Sequence, residues 1–157
     1  MAKGSEIKLT IELIPETAFY KNLRRSLIDN GKKDIWDDIR HKAYANTQYS
    51  CSICGEKTDR LECHEIWEYD DEKNIQVLKG FHALCNMCHH CKHIGMANIL
   101  HQKGQLNIKE VINHFAKVNN FSIDQANTEI KKAFDIWSER SKKPWKQNLG
   151  KWGEYLK

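Results

Sequence analysis

Two Cys-x-x-Cys pairs constrain the fold of this chain more than any other feature. The pairs are Cys51 with Cys54 and Cys85 with Cys88, and 30 residues separate them. In each pair, two thiolates can lie on one turn of chain at the spacing that a tetrahedral Zn²⁺ ion requires. The gap exceeds the roughly 15–20 residues of a simple zinc ribbon, which leaves room for a β-hairpin. We therefore expect one structural zinc ion, because scattered core cysteines would not explain two matched pairs.

The rest of the composition indicates a globular protein of the cytoplasm. Of the 157 residues, 40% are hydrophobic and 29% are charged, which is ordinary for a folded protein and excludes wholesale disorder. There is no apolar run of about 18 residues, so no membrane span and no membrane contact are predicted. Residues 1–10 lack the apolar stretch of a secretory signal. In a reducing compartment, six cysteines are more readily metal ligands than disulfides.

Apolar periodicity predicts an α+β fold that forms a single domain over residues 1–157. Strands are expected at 7–13, 61–68 and 75–84, and helices at 16–29, 33–45, 88–102, 107–118 and 122–140. Residues 1–48 would hold a short N-terminal strand and helices, 49–103 a zinc-bound core, and 104–157 C-terminal helices with a basic tail. The two strands in 61–84 form the hairpin that the cysteine pairs flank.

Three histidines are interleaved with the cysteine pairs. His64 lies in the first strand of the expected hairpin, His89 directly follows Cys88, and His93 lies four residues later. A helix would place His89 and His93 on one face, where two imidazoles can bind one divalent ion. A lone strand histidine is more often a partly buried, hydrogen-bonded residue, so the neighbouring motifs are what favour a functional site.

These motifs resemble the HNH endonuclease family, whose core is a ββα-metal fold. The resemblance is carried by Cys51-Ser-Ile-Cys-Gly, by Glu62-Cys-His-Glu-Ile-Trp and by Ala83-Leu-Cys-Asn-Met-Cys-His-His-Cys-Lys-His. The flanking segments look like a small bacterial and phage-type subgroup that carries zinc-ribbon HNH cores. The resemblance implies an endonuclease that hydrolyses phosphodiester bonds in DNA, in a bacterial or phage-infected cell.

The resemblance also implies roles for individual residues. His64 would be the general base, and His89, a second catalytic residue, would share a catalytic Mg²⁺, Mn²⁺ or Ni²⁺ ion with His93. Cys63 takes the position before the base, where an Asp or His ligand is usual. Gly80 takes the position of the middle asparagine, which lies nine residues before the helix histidine.

These two departures from the family pattern keep a second interpretation open. The chain would then be a catalytically weak or inactive zinc-binding module that binds nucleic acid or a protein partner, for example as a phage-encoded inhibitor. A thiol-redox role for Cys63 or Cys91 is a third interpretation.

The last third of the chain is basic and predicts a DNA-binding flank. The formal net charge is +4, with +5 in residues 101–157 and −3 in residues 51–100. Lysines that interleave with Trp145 and Trp152 can neutralise phosphates, while the tryptophans stack on bases. The lysines are Lys142, Lys143, Lys146 and Lys151. The alternative is that both tryptophans pack onto the helices and the lysines are simply solvated.

Overall fold

A three-stranded sheet and the helices around it make up the structure, a computed structural model that describes residues 7–157. Strand β1 (Glu62–Asp70) pairs antiparallel with β2 (Ile75–Leu84), and β3 (Lys146–Asn148) joins β2 in parallel. The α-helices are α1 (Leu23–Asp29), α2 (Lys33–Asn46), α3 (Asn86–Lys92), α4 (Ile94–Gln102), α5 (Ile108–Asn119) and α6 (Ile123–Arg140). Short 3₁₀ helices cover Glu16–Ala18 and Gly150–Leu156. The α+β class is confirmed.

The β1–β2 hairpin forms where the alternating pattern predicts it. Its turn is stabilised by the Asp70 carboxylate, which accepts hydrogen bonds from the backbone N–H groups of Glu72 (3.1 Å) and Lys73 (3.0 Å). His64 lies opposite His82 in the register, and a bulge in β2 leaves Lys79 without a partner on β1. Because side chains alternate along β1, His64 and its neighbour Cys63 point to opposite faces.

The expected N-terminal strand at 7–13 is wrong. Residues 7–14 form a segment without regular secondary structure, bent at Lys8 and Leu9, that pairs with no strand in the described part of the chain. The buried Leu9 instead donates its N–H to the Asn119 side-chain oxygen (2.8 Å), and its carbonyl accepts from the Asn119 amide (2.8 Å). The side-chain amide of Asn119 on α5 therefore makes the two backbone hydrogen bonds that a neighbouring strand would otherwise make. Residues 1–6 of the predicted N-terminal section lie outside the described residues.

Two of the expected helices are divided. The first becomes a 3₁₀ turn and α1, which begins after Asn22 because that side chain accepts from the Arg25 N–H (2.7 Å). The expected helix at 88–102 ends at Lys92 and restarts at Ile94. The Lys92 carbonyl accepts a hydrogen bond from the Glu12 backbone N–H (3.1 Å) instead of continuing the helical ladder. The N-terminal segment thus lies against the break between α3 and α4.

The basic C-terminal tail is folded. Trp145 is 3% exposed, contacts Tyr69 edge-on at 5.2 Å between ring centroids, and donates its indole N–H to the Arg140 carbonyl (2.9 Å). Trp152 packs on Phe81 at 5.2 Å. Both tryptophans therefore pack inward, as the alternative interpretation of the tail expected, and the segment adds β3 to the sheet.

The largest buried cluster draws on the N-terminal segment, the cysteine-rich core and the C-terminal helices. It contains Leu9 from the first section, Leu84 and Cys88 from the second, and Phe115 and Ala126 from the third. The cysteine-rich core thus packs directly on α5 and α6. Among the helices of residues 7–157, none is both long and apolar enough to cross a membrane.

Candidate metal centres

The structure brings together the four cysteines of the two Cys-x-x-Cys pairs. The sulfur atoms of Cys51, Cys54, Cys85 and Cys88 all lie within 4.8 Å of one another. Cys85 follows β2 and caps α3, where its sulfur accepts from the Cys88 N–H (3.4 Å). The first pair lies on a tight turn that is tied to the end of β2, because Ser52 donates its N–H to the Ala83 carbonyl (2.8 Å). The four thiols lie close enough to hold a metal ion such as zinc.

The protonation of this cluster fits a cation site. The neighbouring Cys88 thiol holds the pKa of Cys51 well below its ordinary range. The interaction with Cys51 raises the pKa of Cys88, whose sulfur also lies 3.2 Å from Nε2 of His114, and burial raises the pKa of Cys85 to about 12. Four thiolates at this spacing, three of them buried, repel one another unless a cation lies between them. A tetrathiolate set is the donor set of structural zinc sites.

A second cluster consists of the three histidines that the sequence singled out. Donor nitrogens of His64, His89 and His93 all lie within 4.8 Å of one another. The ring centroids are 5.0 Å apart for His64–His93, 5.7 Å for His64–His89 and 4.8 Å for His89–His93. His64 comes from β1, His89 from α3, and His93 from the junction of α3 and α4. Because Cys85 and Cys88 fix the start of α3, the cysteine cluster also positions His89.

Carboxylates bind one ring nitrogen of two of these histidines. The Glu62 carboxylate lies 2.5 Å from Nδ1 of His89, and the Glu12 carboxylate lies 2.8 Å from Nε2 of His64. The opposite ring nitrogen of each histidine remains for a metal ion or a water molecule. Carboxylate–histidine pairs of this kind fix the ring orientation in metal sites. The hydrogen bond from His89 also lowers the pKa of Glu62.

Burial favours the neutral form of two of the three imidazoles. It lowers the pKa of His64 below its usual value and brings the pKa of His93 to about 3. A neutral imidazole can accept a proton or bind a cation, whereas the protonated ring can do neither. His64 and His93 are therefore ready for either role at neutral pH.

We expect the partly buried His93 to make the protein less stable in mild acid. The unfolded chain takes up a proton at His93 near pH 6.5, whereas the folded chain does so only near pH 3. The free energy of unfolding should therefore fall as the pH drops below about 6.5, by about 1.4 kcal/mol per pH unit for this one group. Urea unfolding between pH 7 and 5, without added divalent ion, measures this slope. His93→Gln should flatten the slope and the exposed His101→Gln should not; equal slopes in all three proteins would contradict the expectation.

A groove runs beside the histidine cluster along β1. The three histidines and Glu12 line it together with Arg24 of α1. Its further lining includes Ile14, Asn22, Trp36, Cys63, Glu65, Trp67 and Tyr69. The exposed Arg24 places a cation at the wall of this groove.

The structure does not bring Cys63 into the histidine cluster. The side chain lies among Trp36, Leu61 and Ala83 on the other face of the sheet, and burial raises its pKa to about 12. It thus stays a protonated thiol among apolar side chains. Cys91 is buried in the main core, where its thiol donates to the Val111 carbonyl (3.4 Å).

Gly80 lies opposite Ile66, beside the bulge in β2. Its φ of +155° lies in a region that residues with a side chain rarely adopt. Glycine is therefore favoured at this position by the backbone conformation. Glu65 accepts hydrogen bonds from the backbone N–H groups of Leu23 (2.9 Å) and Arg24 (3.1 Å) and so holds the start of α1.

Sequence reasoning missed the two carboxylates. Glu62 lies two residues before His64 in a strand, and this spacing places both on the same face. The i, i+2 spacing in the strand could therefore have identified Glu62 from the sequence alone. Glu12 is separated from His64 by 52 positions and comes from a segment whose partner could not be deduced.

Comparison of the chain with protein-family models, with curated proteins and with solved structures finds no match. The two side-chain clusters and the groove are therefore the features of this chain that bear on its function.

Proposed function

We propose that this protein is a metal-dependent endonuclease of the HNH type that hydrolyses phosphodiester bonds in DNA. The observation that supports this most is the cluster of three imidazoles on a hairpin strand, the following helix and the end of that helix. This is the arrangement that the resemblance to HNH endonucleases implies for a ββα-metal core. The groove that these histidines line is where a phosphodiester would meet the cluster.

In this proposal the histidines divide the chemistry between them. His89 and His93 hold a divalent ion; imidazole donors favour Ni²⁺ among Mg²⁺, Mn²⁺ and Ni²⁺. When bound, such an ion supplies stabilisation for the charge that develops on the phosphoryl group and the leaving oxygen. His64 takes the proton from the attacking water, for which a neutral imidazole is suited. Glu62 holds the ring of His89 through Nδ1 and leaves Nε2 for the ion.

The cysteine cluster has a structural role in this proposal. With a zinc ion bound, it ties the turn at 51–55 to the end of β2 and the start of α3. The helix that carries His89 would then be fixed relative to the strand that carries His64. Zinc would act on folding and take no part in the hydrolysis.

DNA binding requires cations near the groove and on the surface around it. Arg24 lines the groove, and the predicted contacts Lys142, Lys146 and Lys151 are exposed. Lys143 is half-buried and donates to the Asp71 carbonyl (3.4 Å), and Lys142 is paired with Glu139 (2.8 Å). Arg24 is therefore the cation best placed to contact a phosphate next to the histidines.

We expect Arg24→Ala to weaken DNA binding more than the loss of a distant cation. A charge-assisted phosphate contact contributes about 1.5–3 kcal/mol, so affinity should fall on the order of tenfold or more at low salt. The plot of log association constant against log salt concentration should also become less steep, by about the contribution of one phosphate contact. Fluorescence anisotropy with a labelled duplex, without divalent ions, measures both. Lys109→Ala removes an exposed cation that does not line the groove, and equal losses in the two variants would exclude the specific contact.

The second candidate is a weak or inactive module that binds nucleic acid or a protein partner. The backbone at Gly80 favours it, because no side chain there can take the place of the family's asparagine. Nicking of a supercoiled plasmid with Mg²⁺, Mn²⁺ or Ni²⁺ distinguishes the candidates. A protein that carries zinc and binds DNA but never nicks it would support the second.

A further inference from the structure

We propose that Glu12 is a positioning residue for His64, that it holds the imidazole in the Nε2–H tautomer, and that the buried Lys92 fixes Glu12 in turn. The tautomer follows from the contacts of these three side chains, whereas its consequence for catalysis rests on the proposed function. Glu12 lies outside the three motifs that carry the resemblance to HNH endonucleases, and Lys92 lies within the third. The resemblance implies no catalytic or metal-binding role for either residue.

The contacts form a continuous chain from the N-terminal segment to the site. One carboxylate oxygen of Glu12 lies 2.8 Å from Nε2 of His64, and the other accepts from the Lys92 ammonium at 2.8 Å. The Lys92 ammonium also donates to the Thr10 hydroxyl at 2.8 Å. The Glu12 backbone N–H donates to the Lys92 carbonyl (3.1 Å), so both the side chain and the backbone of Glu12 are held by the last residue of α3.

Two side chains of this network are shielded from water and must find their polar partners within the protein. Lys92 is 2% exposed and His64 is 4% exposed. A buried ammonium requires a charged partner, and Glu12 is its only salt-bridge partner among the described residues. Burial alone would raise the pKa of Glu12, but the Lys92 ammonium, 2.8 Å from the carboxylate, favours the ionised form. Glu12 is therefore a carboxylate, not a carboxylic acid, throughout the neutral range.

An ionised carboxylate can only accept hydrogen bonds, and this determines the state of His64. Its Nε2 must carry the proton that Glu12 accepts, so in the neutral ring Nδ1 is the unprotonated nitrogen. Nδ1 is then the atom that takes a proton from water. The carboxylate also stabilises the imidazolium that forms, in the way that the acid of a catalytic triad supports its histidine.

Nitrogen NMR tests the tautomer directly and needs no activity. In ¹⁵N-labelled, zinc-loaded protein at neutral pH, two-bond ¹H–¹⁵N spectra distinguish Nε2–H from Nδ1–H rings, and His64→Gln identifies the His64 signals. We expect the Nε2–H pattern in the wild type and a shift toward Nδ1–H or a mixture in Glu12→Gln. Glu16→Gln is the matched control, since Glu16 is exposed on the same segment and has no histidine contact. An Nδ1–H ring in the wild type, or an unchanged ring in Glu12→Gln, would overturn the proposal.

The kinetics of plasmid nicking test whether Glu12 supports catalysis through His64. With plasmid as substrate, Glu12→Gln should lower kcat on the order of 10²-fold with little change in KM, and Glu12→Asp should recover part of the loss. If Glu12→Gln fails to fold because Lys92 is left unpaired, the double variant Glu12→Gln/Lys92→Met removes the buried charge and should show the same tautomer change. Unchanged kcat in a variant with an altered tautomer overturns the catalytic role. Wild-type protein with the expected tautomer but no nicking activity contradicts the proposed function and leaves the tautomer assignment standing.

Discussion

Cys85→Ser is expected to give a protein that binds no zinc and does not fold cooperatively. Structural thiolate–zinc sites contribute on the order of 10 kcal/mol of apparent binding energy, which is comparable to the whole stability of a domain. Cys85 also caps α3 and belongs to the main buried cluster, so loss of the ion would loosen the contacts with α5 as well. Metal analysis of protein purified without added zinc should find about one Zn²⁺ per chain in the wild type and far less in the variant.

The matched control is Cys63→Ser. Cys63 is partly buried but lies outside the four-cysteine cluster, so this variant should keep its zinc and lose only about 1–3 kcal/mol, from the burial of a hydroxyl. Circular dichroism during heating compares the two variants. A metal-free Cys85→Ser protein that unfolds cooperatively near the wild-type temperature would refute the structural zinc site.

The parts of the fold that depend on local spacing could be predicted from the sequence. The hairpin was expected at 61–68 and 75–84, and its strands are Glu62–Asp70 and Ile75–Leu84. Its position follows from alternation and a polar turn, both of which are local signals. The four cysteines also come together as expected, because two short-range pairs need only one long-range contact to meet.

The predicted elements are wrong where a contact from a distant part of the chain determines the backbone conformation. The alternation of residues 7–13 correctly marks Leu9 as buried, but alternation does not identify the partner, which is the Asn119 side chain on α5. The helix break near His93 depends in the same way on a hydrogen bond from Glu12 to Lys92. No pattern within the expected helix at 88–102 reports a contact that comes from 80 residues away.

Strand alternation alone could have improved the prediction of the site. Neighbours in a regular strand point to opposite faces, so Cys63 would be expected to point away from the face that carries His64. The same rule places Glu62 on the His64 face, where it contacts His89. The spacing of these residues within β1 was therefore more informative than the family position assigned to Cys63.

His64→Ala is expected to lower the rate of DNA nicking by about 10²–10⁴-fold at a temperature at which the variant is still folded. A general base acts on water, so its loss should not be rescued by more metal. His89→Ala and His93→Ala remove ligands of the proposed ion instead, and both should shift the ion concentration needed for half-maximal rate upward by at least about tenfold. High Mn²⁺ or Ni²⁺ should then restore part of the rate.

Nicking rate against ion concentration separates these roles, with thermal unfolding as the control for the fold. His101→Ala, which removes an exposed histidine outside the cluster, should behave like the wild type. The close spacing of all three imidazoles makes one outcome especially informative. If high metal rescues His64→Ala as it rescues His89→Ala, His64 is a third ligand and another group must take the proton. If His64→Ala nicks DNA at the full wild-type rate, the HNH mechanism does not apply to this chain.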